Sequence, residues 1–273
     1  LNISDVRLFN SLNLSMTLIS NGGFLPTNSL SNIISTNFQK IIFILSLVIT
    51  MINFYFVFNI FDKKILFRDH KEDFYLLLLS FILILFIYFN NDSGLDNAIN
   101  TISSLSNSGL TLIQSENNLS LYFLFITIIG GSLISNTSGI KLTRFYILLK
   151  TTSYEIMKLI SPNSILNKTI LGSEKKITDE NVKISFLIFI SFFLSLFILS
   201  GFLVLDNIGF EKSFKLSILT LTNTVNSELF NMANLNFANL LTTSKISLII
   251  FMIIGKIELI SVFLIFKKIL FKD

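Results

Sequence analysis

Three features of this chain place polar groups where their surroundings make polarity costly. The first is Lys256, about halfway along the apolar run MIIGKIELISVF. A lysine at the centre of a bilayer costs roughly 3 kcal/mol unless it faces a cavity or a partner. Glu258 is two residues on and points in another direction on a helix, so it is no direct neighbour. The second is LFITIIGGSLISNTSGIKLTR, where Gly130, Gly131, Ser132, Ser135, Asn136, Thr137, Ser138 and Gly139 interrupt an apolar stretch. The third recurs: FNSLNLSMTLISNGGF, DNAINTISSLSNSGL and FKLSILTLTNTVNSEL are half-apolar segments that each run into a polar turn, two of them with glycine. Covalent chemistry has little to work with. There is no cysteine and one histidine, His70, and no triad, metal cluster or phosphate-binding glycine loop supports an enzyme.

The elements that must hold these groups are membrane spans. Of the 273 residues 52% are hydrophobic and 14% charged, and mean hydropathy is +0.73, about half the charge of an ordinary soluble domain. Runs of about 17 to 25 mostly apolar residues suit a bilayer. Ile41 to Phe61, Phe74 to Asn91, Leu119 to Ile140 and Ile184 to Leu205 are charge-free, and Ile246 to Phe266 holds only Lys256 and Glu258. Lysine and arginine are retained on the cytoplasmic side. They crowd DKKILFRDHKED, the connection from Lys141 to Lys183, and the tail with Lys267, Lys268 and Lys272. With alternating spans these three share one side, which puts the C-terminus in the cytoplasm. The formal charge of +4 then follows from topology and calls for no nucleic-acid partner.

The short segments repeat as span, half-helix, polar turn, span, and we expect short helices over 10–20, 96–106 and 211–223. Irregular backbone at membrane depth is tolerated only where protein or a water-filled cavity satisfies it. A half-helix presents its negative C-terminal dipole to such a cavity, and an extended turn can line up carbonyls that replace a cation's water. Repeated re-entrant turns therefore imply a cation pore; the alternative is ordinary extracellular turns. For residues 130–139 we expect an unwound loop, the alternative being a close-packing helix face. For Lys256 the alternative to a site is snorkelling to an interface. A second functional class stays open, a secondary transporter that binds a small solute at discontinuous helices.

GGSLISNTSGIKLTR and MIIGKIELISVFLIF resemble the M2 signatures of the third and fourth repeats of the Trk/Ktr/HKT potassium transporter superfamily, specifically its TrkH-like bacterial membrane subunit. ISNGGFLPT and SSLSNSGLTL are similar to its second and third filter turns. The resemblance implies an all-α membrane protein of repeated M1, re-entrant pore helix and M2 units around a central pore, here N-terminally incomplete. Residues 1–61 would be pore helix, filter turn and M2 of repeat two, 74–150 repeat three, 151–183 a cytoplasmic connection, and 184–273 repeat four with the tail. It assigns filter carbonyls to Asn21, Gly22 and Gly23, to Asn107, Ser108 and Gly109, and to Val225, Asn226 and Ser227, where the family's glycine is missing. It makes Gly130, Gly131, Ser135, Asn136, Thr137, Ser138 and Gly139 an intramembrane gate loop, with Lys256 replacing an arginine that faces it. It further implies potassium as the transported substrate with no cofactor in this chain, a homodimer in the cell inner membrane, and a cytosolic nucleotide-binding regulatory subunit.

The remaining polar residues read as supporting parts. His70, among Asp69, Lys71 and Glu72, is expected to be a solvated loop residue. Asp92, Asp96, Asp206 and Glu211 lie near the starts of pore helices, where an acid stabilises the helix N-terminus or concentrates cations at a pore mouth.

Overall fold

The computed structural model describes residues 1–27, 29–61, 70–90, 94–112, 117–161, 169–171, 176–224, 229–230, 232 and 237–257. Helices α1 (Leu8–Ser20), α2 (Asn37–Met51) and α3 (Phe54–Asn59) come first. They are followed by α4 (Lys71–Asn90), α5 (Gly94–Leu105) and α6 (Asn117–Ile128). Next is a paired crossover in which β1 (Ile129–Gly130) lies parallel to β2 (Ile140–Lys141). Helices α7 (Leu142–Ile160), α8 (Asp179–Leu205), α9 (Phe210–Leu221) and α10 (Thr242–Ile257) complete the described chain.

Helix α8 explains why a bilayer is the right solvent. Ser185, Ile188, Ser191, Phe192, Ser195 and Leu199 face inward on it and are buried, while Phe186, Phe197 and Phe202 are each more than half exposed. Serine inside and phenylalanine outside would be the wrong way round in water. In lipid, small inward residues let helices approach closely, and large apolar ones meet the acyl chains. Helices α4 and α8 are long and apolar enough to cross a membrane.

The segments expected as half-helices are the helices α1, α5 and α9, each too short to cross. Helix α9 sits between the longer α8 and α10, and α5 between the longer α4 and an α6 of its own length. Helix α5 packs on α4, on α6 and on the preceding α2, and α9 repeats the arrangement on α8, α10 and the preceding α6. One hydrophobic cluster joins α1, α2 and α5 through Leu14, Phe43, Leu47 and Ile102, and a second joins α6, α8 and α9 through Phe123, Leu199 and Leu219. Lys40 on α2 and Asp96 on α5 clamp the first of these junctions with an ion pair of 2.6 Å.

The run from Ile41 to Phe61 is not one continuous span. Helix α2 stops at Met51, Ile52 is extended, and α3 restarts under an Asn53 cap that accepts from the Tyr55 N–H. The cause lies in groups distant in sequence: the Asn53 N–H donates to Asp73 at 2.8 Å, and the freed Met51 carbonyl accepts from Ser132 at 3.0 Å. The start of α2, by contrast, is local in origin. Thr36 and Gln39 form a reciprocal capping box.

Candidate functional site

The three half-helices end in the same way. An asparagine follows each in the left-handed region: Asn21 (φ 49°), Asn107 (φ 57°) and Asn223 (φ 55°). In every case its N–H reaches back three residues, to Leu18, Ser104 and Thr220. The next N–H reaches back five, from Gly22 to Thr17, Ser108 to Ser103, and Thr224 to Leu219. This is the Schellman arrangement, in which a left-handed residue turns the chain out of the helix while its last carbonyls stay bonded. Asparagine takes that conformation more readily than other residues with a side chain.

The turns that follow lie side by side. Gly23 (φ 70°) is so close to the carbonyl of Ser108 that a Cβ would come within 2.8 Å of it, and a Cβ on Gly109 (φ 67°) would lie 3.5 Å from the Thr224 backbone, in ordinary contact. Repeat two thus abuts repeat three, and repeat three abuts repeat four, and the turns after α1 and α9 border one cavity. Each turn follows a helix C-terminus, which carries partial negative charge. Asn21, Gly22, Gly23, Asn107, Ser108 and Gly109 are brought together. Val225, Asn226 and Ser227 lie outside the described residues. The hydrogen bonding places Asn223 in register with Asn21 and Asn107, so by count Val225 is the position that corresponds to Gly23 and Gly109.

Below the turns the third long run unwinds. Helix α6 ends at Ile128 and α7 begins at Leu142, so residues 130–139 form a loop rather than a helix face. Its own side chains shape it: the Gly131 N–H donates to Thr137 Oγ1 at 2.8 Å and Ser135 Oγ donates to the Ser132 carbonyl at 2.7 Å. Contacts from elsewhere hold it in place. Phe54 N–H donates to the Ile134 carbonyl at 3.0 Å, and Asn136 Nδ2 donates to the Ile19 carbonyl at 2.8 Å. Gly139 is left-handed (φ 76°) against the carbonyls of Thr127 and Ile128.

Lys256, on α10, donates to the Asn136 carbonyl at 2.8 Å and to the Ser20 carbonyl, the last of α1, at 3.0 Å. It lines two cavities. One of about 130 Å³ borders the loop at Ser135, Thr137 and Gly139. The other, of about 300 Å³, borders the turns at Asn21, Gly22 and Asn223. Lys256 is exposed, and its two bonds place its ammonium between turn and loop.

Two expectations are corrected. Lys141 was counted with the cytoplasmic cations, but it is 4% exposed. Its ammonium donates into the loop, to the carbonyls of Thr137 at 2.6 Å and Ser135 at 3.0 Å. Burial costs a lysine dearly unless oxygens replace its water, and here the loop's carbonyls do so. His70 is not a solvated residue. It is 3% exposed, with Nδ1 2.9 Å from Asp73 and Nε2 3.0 Å from Asn59. It secures the Asp73 carboxylate that breaks the α2–α3 helix.

The acids near the mouth are engaged with neighbours. Asp96 pairs with Lys40, Asp206 accepts from Ser244, and Glu211 pairs with Lys215 at 2.6 Å. The Lys215 ammonium beside Glu211 holds that carboxyl below its ordinary range. Asp92 lies outside the described residues. Asn223 and Lys141 are the site residues that sequence reading missed. A signal existed for the first, because a hydroxyl residue followed by asparagine recurs as Ser20-Asn21, Ser106-Asn107 and Thr222-Asn223.

Short helices that end in adjoining turns, packed among apolar helices with a pinned loop nearby, define a helical membrane protein. Residues 90–273 match the family described as TrkH, cation transport protein, and the chain belongs to it. It is similar over 99% of its length, at 29% identity, to 56% of the uncharacterized cation transporter MJ1485 of Methanocaldococcus jannaschii. Over 54% of its length it is 30% identical to the Trk system potassium uptake protein TrkG of Escherichia coli, of which it covers 30%. Its fold matches the crystal structure of the potassium transporter TrkH from Vibrio parahaemolyticus with a TM-score of 0.85 at 19% identity. That match covers 96% of this chain and 59% of the other. The chain therefore spans about half the length, or less, of the relatives it matches.

Proposed function

We propose that this chain supplies repeats two to four of a potassium uptake pathway across the cell membrane. Carbonyls of the turns at Asn21–Gly23, Asn107–Gly109 and the fourth turn, which starts at Asn223 and runs into Val225–Ser227, strip and replace the ion's water, and the loop from Gly130 to Gly139 obstructs the path beneath them. The observation that supports this reading is the close approach of Gly23 to the Ser108 carbonyl, with Gly109 in contact with Thr224, because it sets turns from separate repeats side by side. Half-helix dipoles of negative sign behind such turns favour a cation over an anion. A carrier built on inverted repeats would set its helix breaks in opposite orientations, whereas these three turns lie side by side.

Under this reading Lys256 is a fixed positive charge on the ion path that also ties the loop to the end of α1. Potassium is the substrate and needs no cofactor in this chain. A homodimer, a cytosolic nucleotide-binding regulatory subunit and a cytoplasmic C-terminus complete the proposal. The test is growth at limiting potassium of a bacterium deprived of its own uptake systems, carrying the whole polypeptide that contains this segment. Growth should be rescued, and Gly23→Val, which drives a side chain into the Ser108 carbonyl, should abolish the rescue without loss of the protein from the membrane. No rescue by a correctly inserted wild type would rule the reading out.

A further inference from the structure

The asparagines that cap the half-helices also use their side chains, in a way the carbonyl-filter reading leaves unused. Asn107 is fully buried, and its Nδ2 donates at 2.8 Å to the carbonyl of Thr127 in the last turn of α6. Carbonyls in a last turn have no partner within their own helix. The break that creates the loop thus exposes the acceptor that Asn107 takes. Asn223 likewise reaches the helix that follows it, donating to the Met252 carbonyl of α10 at 3.1 Å, although that carbonyl lies within the helix and not in its last turn. The same amide nitrogen also lies 3.3 Å from Ser138 Oγ, in the loop. Asn21 departs from the pattern. It is 2% exposed, and neither amide atom has a partner among the described residues. Its turn is held instead by Thr17 Oγ1, which donates to the Phe24 carbonyl at 2.6 Å.

We infer that Asn107 and Asn223 are positioning residues that brace their turns against the helix that follows in each repeat, and that Asn223, through Ser138, straps the fourth turn to the loop. The inference rests on the filter and gate assignment above. A turn whose carbonyls bind a cation must hold its spacing against an ion that pulls them inward, and a side-chain amide bonded to a neighbouring helix, buried at Asn107 and half-buried at Asn223, supplies that resistance. Since one amide serves both Met252 and Ser138, movement of the loop changes the bonding of the turn. Ion selection and gating are then coupled through one side chain.

Glycine is the informative substitution, because it keeps the left-handed backbone and removes only the amide. The whole polypeptide containing this segment, in proteoliposomes, is assayed for potassium and sodium uptake. Asn223→Gly should lower the potassium-to-sodium ratio about fivefold, the factor that one lost hydrogen bond corresponds to, and raise total flux. Ser138→Ala should raise flux and leave the ratio intact, and combining it with Asn223→Gly should add nothing to the flux. Asn207→Gly, at a left-handed cap outside the site (φ 60°), should change neither. A folded Asn223→Gly protein with the wild-type ratio overturns the brace, and fluxes that add in the double variant overturn the strap. If Asn223→Gly fails gel filtration, Asn107→Gly decides the brace by the same ratio and Ser138→Ala alone decides the strap by its flux. A wild type that carries neither cation instead overturns the pore assignment on which the inference rests.

Discussion

The ammonium of Lys256 donates to the backbone carbonyl of Asn136 at 2.8 Å, joining the last described helix to the middle of the loop between α6 and α7. Its second bond, to the Ser20 carbonyl, makes one side chain the link between a turn and the loop below it. On the ion path proposed above, the same charge that holds the loop would repel a passing cation.

Lys256→Gln keeps a donor and removes the charge. At an effective dielectric near 20, a unit charge roughly 6 Å from an ion costs about 3 kcal/mol, which water and counter-charge reduce. If about half survives, potassium flux rises around tenfold. Radiotracer uptake into proteoliposomes measures it, with gel filtration to confirm folding. An equal or lower rate in folded protein would show that the lysine serves only as a tether.

Lys141 does opposite work, turning its charge into the loop. Lys141→Met keeps the length of the side chain and strands the carbonyls of Ser135 and Thr137. Hydrogen bonds to a charged group are worth about 1.5–3 kcal/mol each, so thermal unfolding in detergent should shift down by several degrees. A melting curve superimposable on wild type would return Lys141 to the role of a topology signal.

At the α2–α3 break, Asp73→Ala leaves the Asn53 N–H and His70 without their acceptor. We expect a loss of about 1–3 kcal/mol, whereas Asp73→Asn should retain part of the stability through its amide oxygen. Proteolysis of membranes across a temperature series separates the two variants. Equal resistance in all three proteins would mean that the break is set by Asn53 alone.

Glycine positions give a contrast on one scale. Gly23→Ala forces a side chain into the left-handed region against the Ser108 carbonyl and should stop uptake. Gly201→Ala, within α8 with open space around it, should leave uptake unchanged and stabilise the helix by up to about 1 kcal/mol. Uptake surviving in Gly23→Ala would remove that turn from the ion path.

What could be read from the chain alone was governed by local pattern. Uncharged length marks α8 because hydrophobic burial in lipid needs only composition and extent. The half-helices α1, α5 and α9 were legible because each pairs a short apolar face with a polar turn, and the unwinding after Ile128 because glycine and hydroxyl residues crowd together there. Lys256 stood out because a charge in an apolar run demands a partner. The partner itself could not be read: the carbonyls of Ser20 and Asn136 are backbone groups that any residue would offer. The break after Met51 was invisible for the same reason, since its cause is the Asp73 carboxylate brought in from another helix. His70 and Lys141 were misplaced because polar residues near a span end look solvated until the fold closes over them. Burial, and the pairing of one asparagine amide with both a helix carbonyl and the loop, are decided by three-dimensional approach, where sequence separation has no bearing.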